Sequence, residues 1–142
     1  MSPVDIAIVQ RKLGIIQRSI QSLDQAELGD LEQYKSDLWL RKGTERLLQE
    51  AIEAALDTAS HLVVRAGRPA PADFYSSFLE LAEVGAIDRE LASALAPAAG
   101  LRNRLVHEYD DLDDGIVLQS TGKALELLPR FIAQVQAYLQ RA

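Results

Sequence analysis

Leu47-Leu48-Gln49-Glu50-Ala51-Ile52-Glu53-Ala54-Ala55-Leu56-Asp57-Thr58-Ala59-Ser60-His61-Leu62-Val63 is the stretch that decides the fold class. Leu47, Leu48, Ala51, Ile52, Ala55, Leu56, Ala59 and Val63 recur at steps of three and four residues. On a helix of 3.6 residues per turn that spacing draws one apolar stripe. The tract reads as helical from about residue 31 to residue 66, with Gly43-Thr44 as its expected break. Upstream, Ile6, Val9, Leu13, Ile16, Ile20 and Leu23 repeat the period across residues 4–27, and Gly29-Asp30 separates the two tracts.

Downstream, Gly67-Arg68-Pro69-Ala70-Pro71-Ala72 is the clearest loop. Asp73 is placed to cap a helix through Phe74, Phe78, Leu79 and Leu81, which Gly85 ends. Asp88 is placed to cap another through Leu91 and Leu95. Pro97 cannot continue that helix but suits the first turn of the next. That next helix carries a possible kink at Gly100. Asp113-Asp114-Gly115 reads as a turn, and a last helix is expected over about residues 115–139, burying Leu118, Leu125, Leu128, Phe131, Ile132, Val135 and Leu139. No stretch alternates as a strand does. The expectation is an all-α bundle of five or six helices, forming a single domain over residues 1–142.

The composition narrows the function classes. With 142 residues, 48% hydrophobic and 25% charged, the chain has the balance of a folded protein. It contains no cysteine, which excludes disulfides, thiolate metal sites and a cysteine nucleophile. No apolar run is long enough for a membrane span, and the start lacks a signal-peptide pattern, so a cytoplasmic location without membrane association is expected. The net charge of −6 argues against broad non-specific nucleic-acid binding. An anionic ligand would need a confined cationic site.

Arg102-Asn103-Arg104-Leu105-Val106-His107-Glu108-Tyr109 offers such a site. Arginine binds phosphate through a planar fork of donors, and histidine moves protons near neutral pH. On a straight helix Arg102 and Tyr109 share a face, Asn103 and His107 share a neighbouring edge, and Arg102 and His107 lie about 140° apart. Metal-free RNA cleavage needs a base for the ribose 2′-hydroxyl, an acid for the leaving 5′-oxygen and a cation for the growing phosphorane charge. One chain supplies one suitable histidine, and two copies across a symmetry axis supply two. A homodimer is therefore expected. A structural reading stands beside the catalytic one. In it Arg102 pairs with an acidic neighbour, His107 favours the helix C-terminal dipole and Tyr109 packs half-buried.

The motif resembles the Arg-x4-His-x-Tyr signature of HepT-like toxins in the HEPN superfamily. The likeness extends to Glu45–His61, which is similar to the family's long helix, and to the order of Phe78-Leu79-Glu80-Leu81, Asp88-Arg89-Glu90-Leu91 and the motif. The resemblance implies a homodimeric helical bundle acting as a metal-independent endoribonuclease, the toxin of a toxin–antitoxin system. It implies that Arg102 binds the scissile phosphate, that His107 transfers protons and that Asn103 supports them. It further implies a minimal nucleotidyltransferase antitoxin that uses ATP and magnesium to transfer AMP to Tyr109. The added bulk and negative charge would repel RNA. No cofactor or metal of this chain's own is implied. A different class stays open: a non-catalytic helical module binding a nucleotide or partner in the same cationic pocket.

Other features carry less chemistry. Asp57 and His61, four apart on one face, lack further metal ligands, so His61 is expected to be structural. No phosphate-binding glycine loop or dinucleotide fingerprint occurs. Arg41, Lys42 and Arg46, with Tyr34 and Trp39 nearby, form either a solvated helix face or an RNA-tracking surface with stacking rings. Trp39, between Leu38 and Leu40, is expected in the core or an interface.

Overall fold

The computed structural model describes residues 3–107 and 111–141, and within them all regular structure is helical. The order is α1 (Ile6–Gln25), α2 (Leu31–Ser36), α3 (Leu38–Arg65), α4 (Phe74–Glu83), α5 (Arg89–Leu95), α6 (Ala98–His107) and α7 (Asp114–Arg141). The all-α bundle matches expectation. Its seven segments include α2, a helix of only six residues.

The tract expected to break at Gly43-Thr44 breaks instead at Asp37, which divides α2 from α3. Asp37 holds an extended backbone, and its carboxylate accepts the Leu40 N–H at 3.0 Å. A capping aspartate restarts the helix there, whereas Gly43 only weakens a helix that the apolar stripe already holds. Gly100 interrupts nothing either, since α6 runs through it.

Aspartates start most of the helices. Asp5, Asp30, Asp37, Asp73 and Asp88 each accept a backbone N–H three residues on. Asp113 accepts from both Gly115 and Ile116 at the head of α7. Each carboxylate satisfies orphan donors and faces the positive end of its helix. At the other ends, Gly67 and Gly85 take positive φ values of 92° and 86°. There the chain reverses while the Arg68 and Ala86 N–H groups donate back to Val63 and Leu81.

The stripe on α3 lies at the centre. Leu48, Ala51, Ala55, Ala59, Leu62 and Val63 are fully buried, and α3 packs against α1, α4, α6 and α7. The alanines let α1 approach, where Val9, Ile16 and Leu23 present the opposing stripe. Phe78 of α4 meets Phe131 of α7 edge-to-face, with ring centroids 5.9 Å apart. Removing either ring would cost on the order of 3–5 kcal/mol. Tyr34 is fully buried where α2 packs on α3 and α7.

Of the two places expected for Trp39, the core is ruled out and an interface is left open. Trp39 is 87% exposed, with Leu38 beside it at 53%. Both stand at the first turn of α3, before the stripe turns inward, so Trp39 belongs to the surface of this chain and not its core. Among the described residues no helix is long and apolar enough to cross a membrane.

Candidate functional site

Helix α6 packs against α3 and α4, so its side chains meet those two helices. Leu101 and Leu105 point into the core and anchor it. That register turns Arg102 and Asn103 to a half-buried edge and leaves Arg104 and His107 exposed.

Arg102 is held from three sides. Its guanidinium carbon lies 4.8 Å from the centroid of the Phe74 ring on α4. Its Nη1 donates to Asn103 Oδ1 at 3.3 Å. Its Nε lies 3.9 Å from Glu53 Oε1 on α3, too far for a hydrogen bond. The Glu53 carboxylate is itself fixed by an N–H from Gln49 at 2.8 Å. Arg102 Nε is thus buried and without a hydrogen-bond partner among the described residues. Because Nε is enclosed beside Glu53, an oxyanion in the groove would meet the outer Nη groups of the guanidinium.

Arg102, Asn103 and His107 line one groove of about 530 Å3 with Phe74 and Tyr75. Arg102 and His107 line this groove together although about 140° separates them on the helix. Asn103, four residues before His107, stands between them. A second hollow of about 500 Å3 is lined by Tyr75, Gly100, Asn103, Arg104 and His107. Among the described residues, the carboxylates lining the groove are already engaged. Asp57 pairs with Lys12 at 2.9 Å, and Asp73 caps α4. The Lys12 ammonium offsets the charge of Asp57 beside the groove.

Tyr109 falls outside the described residues, together with Glu108 and Asp110. The Asp57–His61 pair separates: Asp57 turns to Lys12, while His61 Nε2 accepts the Asp5 N–H at 3.2 Å. Burial, and then the Arg65 charge, hold the His61 pKa below its usual value, with Asp5 opposing. His61 thus ties the start of α1 to the end of α3. Of the second basic patch, Arg46 faces Glu50 at 3.0 Å on a solvated helix face, Lys42 faces the buried Glu45 at 3.4 Å, and Arg41 Nε is buried without a hydrogen-bond partner among the described residues. Tyr34 is buried and offers no stacking surface.

The structure adds Phe74, Tyr75 and Glu53 to the residues read from sequence. Adjacent aromatics in the first turn of a helix point about 100° apart and cannot both reach one core. Phe74-Tyr75 after a capping aspartate was the available signal. Its meaning depended on which helix stood opposite.

The family described as ribonuclease HepT-like matches residues 16–135. This chain belongs to that family. It is 34% identical over 139 residues to a tRNA nuclease HepT of Aphanizomenon flos-aquae, covering 98% of this chain and 95% of that protein. It is 32% identical over 130 residues to an mRNA nuclease HepT of Shewanella oneidensis, covering 92% and 97%. Its fold superposes with a TM-score of 0.81 on a solved structure of a tri-AMPylated Shewanella oneidensis HEPN toxin in complex with an MNT antitoxin, at 32% identity and covering 92% and 97% of the two chains.

Proposed function

We propose that this chain is the toxin of a toxin–antitoxin pair, a cytoplasmic endoribonuclease whose single domain spans residues 1–142. The observation that carries this reading is the convergence of Arg102, Asn103 and His107 on one groove, in a member of the HepT-like ribonuclease family. RNA lies in the groove with its scissile phosphate on the Arg102 guanidinium. The ribose 2′-oxygen attacks phosphorus and loses its proton to one imidazole. The P–O5′ bond breaks, and the leaving 5′-oxygen takes a proton from a second imidazolium. The products are a 2′,3′-cyclic phosphate and a 5′-hydroxyl. Arg102 neutralises the charge growing on the phosphorane, and Asn103 holds the guanidinium in place. One chain offers one histidine at the groove, so the working unit is a homodimer that brings two copies of His107 to one cleft. No metal takes part in this scheme.

The relatives suggest the regulation. A nucleotidyltransferase antitoxin uses ATP and magnesium to place AMP on Tyr109, two residues beyond His107. The added phosphate and nucleoside compete with RNA for the same cations.

The test is cleavage of RNA by purified protein in excess chelator. Wild type is expected to cut, and Arg102→Ala and His107→Ala are each expected to lose about a hundredfold or more in rate. Preincubation with the antitoxin, ATP and magnesium should silence the wild type and spare Tyr109→Phe. Equal cleavage by wild type and both alanine variants would remove the assignment and leave a binding module. Silencing of Tyr109→Phe would move the modification elsewhere.

A further inference from the structure

The groove contains an aromatic ring that the scheme above does not use. Tyr75, in the first turn of α4, is 54% exposed and borders both hollows along α6. Asn103 and His107 line the same two hollows. Phe74, one residue earlier, differs: its ring face carries the Arg102 guanidinium. Among the described residues no cation or ring lies on Tyr75.

Tyr75 reaches this position because position 100 is glycine. A Cβ there would lie 2.7 Å from the Tyr75 hydroxyl, 3.4 Å from Cζ and 3.6 Å from Cε1. A side chain at position 100 would require the Tyr75 hydroxyl end to shift, while the rest of the ring meets it at ordinary contact distance. Gly100 is an ordinary helical residue in a helix it weakens, so its value lies in this close approach.

We infer that Tyr75 is a positioning residue that stacks one unpaired nucleobase of the RNA, next to the phosphate held by Arg102. This rests on the ribonuclease reading. A cation for phosphate with an open aromatic face beside it is the arrangement that holds single-stranded nucleic acid. The π-face of any base suffices for such stacking, and one stacked base strengthens binding about tenfold or more. The two aromatics divide the work. Phe74 holds the arginine that meets the phosphate, and Tyr75 holds the base that orients the ribose. The substrate at this site is thus a strand whose nucleotide beside the cut is free to swing out. A continuous duplex keeps its bases stacked internally and offers one only at the cost of unpairing and unstacking it.

The experiment measures kcat and KM on a short single-stranded oligoribonucleotide with one defined cut, and on the same strand with an abasic nucleotide on either side of that cut. Tyr75→Ala is expected to raise KM about tenfold with a smaller change in kcat, while Tyr75→Phe and Tyr75→Trp stay close to wild type. With the abasic substrate at the contacting position, wild type should show the same rise, and Tyr75→Ala should add nothing to it. Sedimentation should show one oligomeric state for all variants. An unchanged KM in Tyr75→Ala would overturn the proposal, as would a penalty that persists in full on both abasic substrates. Tyr75 and Leu79, four residues apart, share an exposed edge of α4. A loss of activity accompanied by a change of oligomeric state would therefore reassign that edge to a subunit contact. Wild-type protein inert on every strand would instead defeat the ribonuclease reading itself, a result separable from all of these.

Discussion

Arg102 is defined by its neighbours. Phe74 supplies a ring face, Asn103 an acceptor, and Glu53 a carboxylate too distant to saturate it. The ring contact has a measurable share. Phe74→Leu keeps an apolar side chain but removes the quadrupole, and kcat/KM on RNA should fall about two- to fivefold. Phe74→Tyr should hold the wild-type value. Because Phe74 is partly exposed, the Leu variant should unfold at nearly the wild-type urea concentration. A large stability loss would show that the ring serves the core instead of the arginine. Arg102, Asn103 and His107 were legible because they sit within one turn and a half of one helix, where spacing fixes direction. Phe74 and Tyr75 come from another helix. Their meeting with α6 depends on packing between α4 and α6, which no local pattern encodes.

At the scale of the helix, the apolar period placed nearly every segment, because one buried stripe constrains direction over many turns. Where it failed is instructive. Gly43 looked like a break and Asp37 did not, yet an aspartate with an extended backbone ends one helix and begins another. Loss of that cap in Asp37→Ala should cost about 1 kcal/mol. Gly43→Ala should act the other way. Nothing lies within 4 Å of a Cβ built there, so the variant should gain about 0.5–1 kcal/mol through the lower entropy of its unfolded chain. Urea unfolding of the two variants should therefore move in opposite directions. Trp39 shows the limit of the period: at the first turn of α3 a large ring between two leucines carries no instruction about which side is inside.

For the whole molecule, His61 links stability to pH. Its Nε2 accepts the Asp5 N–H, which requires the unprotonated ring, and burial with Arg65 lowers its pKa below the usual 6.5. The unfolded chain therefore binds the proton more readily than the folded one. The stability contributed by neutral His61 is fully present above pH 6.5 and is lost as pH falls through 6.5 toward the folded value. Asp88, whose pKa is lowered from 3.8 by the Leu91 N–H and Gln134, contributes in the same sense only as pH falls below that value. Urea unfolding at pH 7.5 and pH 5.5 should show wild type losing stability at the lower pH, and His61→Gln should lose less. Equal losses in both proteins would detach the effect from this contact.

The aspartates at the helix starts leave the molecule little freedom over its own acidity. Six of its carboxylates are spent on peptide amides, so replacing them to favour a polyanion would unravel the scaffold before it sharpened capture. Gains in grip on nucleic acid must instead come from extra cations on faces such as the outward side of α4, whose sequence bears no lysine or arginine between Phe74 and Glu83. Acidity here is a cost of construction, and tuning of affinity is confined to the few surfaces that hold nothing up.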